Sequence, residues 1–428
     1  MKIKQNSKGY EPKLRFPEYR DAWVEKKLGS VAKLIDDRAG DNKYTLMSVT
    51  SGLGLVSQIE KFGREIAGNQ YKNYYVIKKW DFAYNKSATK QYPEGYISML
   101  VDQIEGAVPN SIFTCFRIVD KKTLPRFLDY LFHDNLHGKW LRNFIEVGAR
   151  AHGSLSVDDN ILFEMPIAFP TLAEQHKIVD CLTSLDDLIS SESQKLEKLK
   201  DHKKGLMQNL FPAEEETVPK VRFKEFRVSG DWRVKPLRKY CEIKGGKRIP
   251  KGFSLTTENT GYPYIRVSDM YMGGVDVSSI LFVPVNVVAQ IKNYKISKHD
   301  LFITVAGTIG VVGKIPEELD NANLTENANR IIVKNIDKHF LLHYMSSDVI
   351  QKIISASITN NAQPKLALER IREFLIPAPL IHEQQKIADC LSSLDNIITA
   401  HAKKIDTLKS HKRGLMQQLF PSASEVVK

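Results

Sequence analysis

"EQHKIVDCLTSLDD" (Glu174–Asp187) and "EQQKIADCLSSLDN" (Glu383–Asn396) are nearly the same phrase written twice in one chain of 428 residues. The copies extend well beyond the phrase. Leu172 to Pro212 aligns with Ile381 to Pro421 without a gap at a constant offset of 209, and 23 of the 41 positions are identical. Both copies close alike, with "GLMQNLFP" from Gly205 and "GLMQQLFP" from Gly414. A second echo opens each half: "PKLRF" at Pro12 returns as "PKVRF" at Pro219, each followed by a tryptophan, Trp23 and Trp232. The chain is therefore a tandem duplication, the feature to establish before any other. Residues 34–165 and 242–376 share little visible sequence, so the framework was kept while the content diverged.

The repeated segment reads as a helix. Ile178, Leu182, Leu185, Ile189, Leu196, Leu199, Leu206 and Leu210 follow a four-three spacing, as do Ile387, Leu391, Leu394, Ile398, Ile405, Leu408, Leu415 and Leu419. That is a heptad seam. Thr171 and Glu174 stand at the spacing of a capping box, whereas the second copy has Leu380 in the cap position, which leaves its start unexplained. Each helix runs into Phe-Pro, where it must stop. Two such rods, each about 55 Å long, bury their seams most simply on each other as an antiparallel pair. That pairing predicts a pseudo-twofold relation between the halves and a fixed separation. The seam is broken by polar residues at matching places, Glu192 and His401, then Lys203 and Lys412. Solvent exposure is the expectation there, and core packing is the expectation for Cys181 and Cys390.

The length predicts about two to four domains. The boundaries follow the repeats: 1–165 and 213–376 as globular regions, 166–212 and 377–428 as helical segments. The four cysteines show no CxxC pairing, which argues against a disulfide framework or zinc ribbon and fits a reducing cytoplasm. No apolar run approaches the roughly 20 residues of a membrane helix, and "MKIKQNSKGY" has no signal-peptide core, so no membrane association is expected. The net charge of +12 is unevenly placed: +5 for 1–165 and +6 for 213–376, against −1 and +2 for the helical segments. Basic globular regions suit phosphate neutralisation.

Motifs for chemistry are lacking. No two prolines are adjacent, which excludes the N-P-P-aromatic motif of an amino-methyltransferase, and no proline precedes an aspartate as a PD…(D/E)xK nuclease requires. "GTIGVVGKI" from Gly307 departs from the P-loop pattern at Thr308 and Ile315. The histidines show no metal-ligand spacing, so neither a catalytic nor a metal site is expected.

The layout of a variable region, then "PxxxLxEQxxI…L…D…GLMQxLFP", then a second variable region and a second copy, resembles the specificity subunit of a type I restriction-modification enzyme. The matching residues are Glu174, Gln175, Ile178, Leu182, Asp186, Gly205, Leu206 and Phe211, and Glu383, Gln384, Ile387, Leu391, Asp395, Gly414, Leu415 and Phe420. The resemblance covers essentially the whole chain. It implies an α+β fold in which two target-recognition domains are joined and separated by two long antiparallel coiled-coil helices. Each domain would read one half of a bipartite duplex-DNA site. The helices, through these residues with Leu185 and Leu394, would form the spacer and dock two methyltransferase subunits, which in turn carry restriction subunits. S-adenosylmethionine, ATP and magnesium would belong to those partners, and this chain would be non-catalytic.

For base reading, polar and basic loops interleaved with aromatics are the candidates, because Asn and Gln grip adenine, Lys reaches guanine or phosphate, and Tyr packs on the backbone. In the first half these are Tyr84, Asn85, Lys86, Ser87, Lys90 and Gln91, followed by Arg150 and His152. The second half offers Thr304, Thr308 and Lys314 in the corresponding stretch, then Asn360, Asn361, Gln363 and Lys365. Lys247, Arg248 and Lys251 resemble an early basic turn of the family. The aromatic stripes of "LPRFLDYLFHDNLHGKWLRNFI" and "KHFLLHYMSSDVIQKIISASI" read as core. Two alternatives stay open: a coiled-coil interaction scaffold without DNA binding, and an RNA-binding module that prefers single strands.

Overall fold

A computed structural model describes residues 9–50, 54–65, 70–145, 155, 157–358, 364–421 and 426. Its longest elements are the two repeated segments, helical over Leu172–Leu210 and Ile381–Leu419 and 39 residues each, about 58 Å at 1.5 Å per residue. The first starts as the sequence predicts in one respect: Thr171 Oγ1 accepts from the Glu174 amide at 3.3 Å. The reciprocal arm of the capping box is absent, because the Glu174 carboxylate is drawn to Arg15 and Trp23 instead. The second helix starts on backbone alone, the Leu380 carbonyl accepting from the amides of Glu383 and Gln384.

The chain forms two compact units, residues 1–191 with 404–428 and residues 192–403. Each long helix thus contributes to both units, whereas the sequence boundaries left each helix whole. Within the second unit Glu192 meets His401 at 2.6 Å and Lys203 meets Asp395 at 2.6 Å. One index rises as the other falls, so the helical segments are antiparallel there. The polar breaks in the seam are these contacts: Lys203, Glu192 and His401 are at most one-fifth exposed, and in the first unit Lys412 pairs with Asp186. Exposure was the wrong expectation for them. Apolar seam residues would leave Asp186 and Asp395 without cations, and polar pairs at seam positions fix register.

In the first unit a four-stranded antiparallel sheet runs in the order Ala32–Leu34, Phe113–Ile118, Phe82–Asn85, Tyr96–Met99. The second unit repeats it as Cys241–Gly245, Ala328–Val333, Leu301–Thr304, Val312–Lys314. The fold was duplicated along with the helices, although side chains no longer show it. Each sheet is followed by a helix, Pro125–His133 or Lys338–Met345, whose aromatics are core as expected: Phe127, Phe132 and Phe340 are fully buried. A two-stranded ribbon closes each unit, Val24–Lys27 on Pro166–Phe169 and Arg233–Pro236 on Leu375–Ala378. The second unit adds a four-stranded sheet, Leu281–Phe282, Pro263–Ile265, Ala322–Leu324, Lys295–Ile296, containing one parallel pair.

The seam does not pack only helix on helix. Ile178 and Leu182 lie in one core with Trp23, Phe127, Leu419 and Phe420, and Ile387 and Leu391 lie in the other with Trp232, Phe340, Leu210 and Phe211. The two echoes of the sequence interlock in these cores. Arg15 of "PKLRF" donates from Nε and Nη2 to Glu174, each at 2.8 Å, and Arg222 of "PKVRF" donates likewise to Glu383, each at 2.6 Å. Gln175 and Gln384 sit beside them and satisfy backbone groups: Gln175 accepts from the Leu124 amide, and Gln384 from the Asp337 amide, at the head of the following helix.

Candidate nucleic-acid interface

The central strands Phe82–Asn85 and Leu301–Thr304 occupy the same place in the two sheets, and the loops after them are the ones singled out for base reading. Each loop is tied to the segment that precedes its unit's last short helix. The Leu155 amide donates to the Lys86 carbonyl at 2.8 Å, and the Leu366 amide donates to the Val305 carbonyl at 3.0 Å. One end of each sheet therefore gathers two polar loops.

Within the first unit the candidates separate by burial. Lys90 and Gln91 are exposed at the tip of a turn closed by Thr89 and Tyr92. Tyr84 is a correction. It is fully buried, its hydroxyl donates to the Glu94 carbonyl at 2.8 Å, and burial pushes its phenol well above the usual range. Because both faces of this sheet are covered, Phe82, Ala83 and Tyr84 are all at 0% exposure, and alternation along the strand sends nothing outward. Lys86 is also committed internally, donating to the Val157 carbonyl at 3.0 Å and to Asp159 at 2.8 Å. Asn85 and Ser87 are half-buried, the Asn85 side chain accepting from the Ser87 amide at 2.9 Å. Arg150 and His152 lie outside the described residues.

In the second unit Thr308 and Lys314 are exposed. Thr304 is a second correction: at 0% exposure its hydroxyl donates to the Thr308 carbonyl and accepts from the Val311 amide, closing the loop from inside. Gly307 and Gly310, at φ of 77° and 88°, let that loop turn so tightly. Of the later candidates Lys365 is exposed, while Asn360, Asn361 and Gln363 lie outside the described residues. Lys247 and Lys251 are exposed, and Arg248 is also exposed but paired with Glu326. Their turn is fastened to the added sheet by the Lys247 amide on the Leu324 carbonyl at 2.8 Å and the Tyr264 hydroxyl on the Lys247 carbonyl at 2.9 Å.

The residues expected on the helices to meet partners divide in the same way. Glu174, Gln175, Ile178, Leu182 and Phe211, and Glu383, Gln384, Ile387, Leu391 and Phe420, are buried inside their own units. They build the platform and are not available as its outer surface. Leu185, Leu206, Leu394 and Leu415 are half-buried. On the outward side stand Leu188 and Ile397, which are 209 residues apart and so the same position in the two copies, at 40% and 44% exposure. Sequence reading missed Arg15 and Arg222 as partners of the repeated glutamates. The signal was present in the paired "PKxRF" echoes, but their distance of about 160 residues from the helix starts hid the link.

Among the described residues no group of three or more His, Cys, Asp or Glu is placed to hold a metal ion. No described helix is long and apolar enough to cross a membrane.

The family model for the type I restriction modification DNA specificity domain matches this chain twice, over residues 21–201 and 229–410. The MjaVIII specificity subunit of Methanocaldococcus jannaschii is 27% identical over 301 residues, covering 68% of this chain and 69% of that protein. The EcoBI specificity subunit of Escherichia coli is 25% identical over 280 residues, covering 60% of this chain and 57% of that one. Among solved structures, the type I restriction-modification S subunit from M. genitalium has a TM-score of 0.59 at 16% identity, over 96% of this chain and 99% of its own. A chain from a study of complex assembly and conformational transition in a type I system gives 0.56 at 16% identity, over 95% and 99%.

Proposed function

Because this chain belongs to the type I restriction-modification DNA specificity family, we propose that each of its two units reads one half of a bipartite duplex-DNA site and that the pair directs a methyltransferase to it. The observation that carries this reading is the duplicated loop end. Two sheets of one topology present exposed Lys90 and Gln91 in one unit and exposed Thr308 in the other at this end, on globular regions that hold most of the chain's positive charge, whereas Lys314, paired with Leu301, lies at the opposite end of its strand. Lysines supply sequence-independent attraction to phosphate, and the differing polar side chains supply the reading. Divergent sequence on a kept framework is what two different half-sites require.

The chain works without chemistry of its own in this reading. It acts in the cytoplasm as the addressing subunit of a complex with two methyltransferase subunits, and restriction subunits join through those. S-adenosylmethionine, ATP and magnesium are bound by the partners. Leu188 and Ile397, the same position on the two helices, support one docking surface for each of two like partners. The scaffold and single-stranded RNA readings are not favoured, since both matched domains belong to a DNA specificity family.

The test is a map of methylated positions in host DNA with and without this chain. A bipartite motif that vanishes on deletion supports the reading. Methyl transfer by the isolated polypeptide, or an unchanged methylation map, overturns it.

A further inference from the structure

The turn that displays Lys90 and Gln91 rests on a carboxylate that no exposed loop would need to bury. Glu94 is 4% exposed. Its carbonyl accepts from the Tyr84 hydroxyl at 2.8 Å, the carbonyl of the next residue, Gly95, lies 3.3 Å from His137 Nε2, and Asn135 Nδ2 reaches its side chain at 3.4 Å. Gly95 itself stands at φ 82°, where an added Cβ would collide with the Asn85 carbonyl and meet the Tyr84 ring at 2.7 Å, a place no side chain fits. Burial alone pushes the Glu94 carboxyl up, yet hydrogen bonds from Arg142 and Asn135 outweigh it and the net displacement is downward. The carboxylate is held charged in a rigid pocket.

What it holds in turn is Arg142, at the end of the short helix Leu136–Leu141. Arg142 donates from Nε to Glu94 Oε1 and is 60% exposed. Among the described residues no other partner holds its guanidinium, so Nη1 and Nη2 are left as a pair of donors fastened to the segment whose tip, three and four residues before Glu94, carries Gln91 and Lys90. Nε alone compensates the buried carboxylate, so charge compensation does not account for the outer edge of the guanidinium that stays in solvent. A guanidinium fixed through Nε, with its outer edge left over, is an arginine prepared to donate twice to one planar acceptor.

Resting on the reading of the first unit as a DNA-recognition domain, we propose that Arg142 reads a base in the first half-site. The ligand is a purine edge with two adjacent acceptors, the O6 and N7 of guanine in the major groove, and Glu94 is the positioning residue that aims the fork. A bidentate contact of this kind discriminates against the wrong base by roughly 5- to 150-fold.

The experiment uses the assembled enzyme in its host. A strain deleted for this chain is complemented with the wild type, Arg142→Ala, Arg142→Lys or Glu94→Gln, and methylated sites are mapped across the chromosome. The wild type must restore a bipartite motif; if it does not, the reading of the whole chain fails and not this proposal. With the motif restored, Arg142→Ala is expected to relax one guanine-containing position of one half-site, with the other half-site intact. Arg142→Lys, which keeps the charge and loses the fork, is expected to relax the same position. Glu94→Gln should weaken discrimination at that position and at no other. An unchanged motif in Arg142→Ala overturns the proposal. So does a uniform fall in methylation with the motif unaltered, which assigns the contact to phosphate. If Arg142→Ala fails to accumulate, Arg142→Lys decides alone: an intact motif in that variant also overturns the proposal.

Discussion

Arg222→Met should destabilise the start of the second long helix far more than Arg15→Met destabilises the first. Both arginines grip a buried glutamate through two hydrogen bonds, and Arg222 and Glu383 are only 9% and 0% exposed. Removing one member of a buried ion pair leaves an uncompensated charge and costs about 3–5 kcal/mol. The two sites differ in what remains. Trp23 Nε1 still donates to Glu174 at 3.2 Å after Arg15 is lost, and a hydrogen bond to a charged group contributes about 1.5–3 kcal/mol. Trp232 Nε1, buried at the equivalent place, has no hydrogen-bond partner among the described residues. The loss should therefore be about 3–5 kcal/mol at Arg222 and roughly 1–3 kcal/mol at Arg15. Native-state hydrogen exchange reads local opening at each helix start separately, which a global melt of two units does not. Protection around Ile387 should fall by at least about 100-fold in Arg222→Met, and by clearly less around Ile178 in Arg15→Met. Equal losses, or a loss under about tenfold for Arg222→Met, would refute the reasoning.

Three further outcomes are expected. His343 is buried against the second long helix, with Nε2 3.0 Å from Ser392 Oγ and Nδ1 3.8 Å from Asp395; burial, reinforced by Lys203, lowers its pKa to about 4. An unfolded histidine titrates near 6.5, so this contribution to stability is whole above pH 6.5 and is lost as pH falls toward 4. His343→Gln should remove roughly 2 kcal/mol of the destabilisation between pH 7 and pH 5 in denaturant titrations. Gly95→Ala places a Cβ against the Asn85 carbonyl and Tyr84 ring at φ 82°; it should lower stability by about 1–3 kcal/mol and reduce methylation at sites of the native motif. Lys90→Ala, a change at an exposed residue of the loop tip, should leave thermal unfolding within about 0.5 kcal/mol of wild type while reducing the salt dependence of DNA binding by the assembled complex by about one unit of slope.

The architecture was legible where side chains repeat and illegible where they do not. The helices could be read because heptad spacing and gapless identity both survive in "EQHKIVDCLTSLDD" and "EQQKIADCLSSLDN". The correspondence of Phe82–Asn85 with Leu301–Thr304 could be read, but the duplicated strand order around them could not, since the other strands keep their place with different residues. Tyr84 and Thr304 were misassigned for one physical reason: both close strands covered on two faces, where polarity at a strand end marks a satisfied interior group as readily as a ligand contact. The composite make-up of each unit was also beyond a linear reading, because which half of a helix packs on which globular region depends on pairs such as Lys203 with Asp395, nearly 200 residues apart. Lys90, Gln91, Thr308, Lys247 and Lys251 are exposed, as lysines and loop-tip residues usually are whether or not they meet a ligand. Arg142 gave no sequence signal, since its meaning lies in a buried carboxylate 48 residues upstream.

The central claim is that the two units read their half-sites independently, and exchange of residues 219–376 for the corresponding region of a relative tests it most directly. The exchanged segment carries the sheet Cys241–Gly245 to Val312–Lys314 and its loops but leaves both long helices native. Methylome sequencing of a strain carrying the chimera should show one half of the target replaced, the other half retained, and the spacing between them unchanged. A change in both halves together, or in neither, would contradict the account.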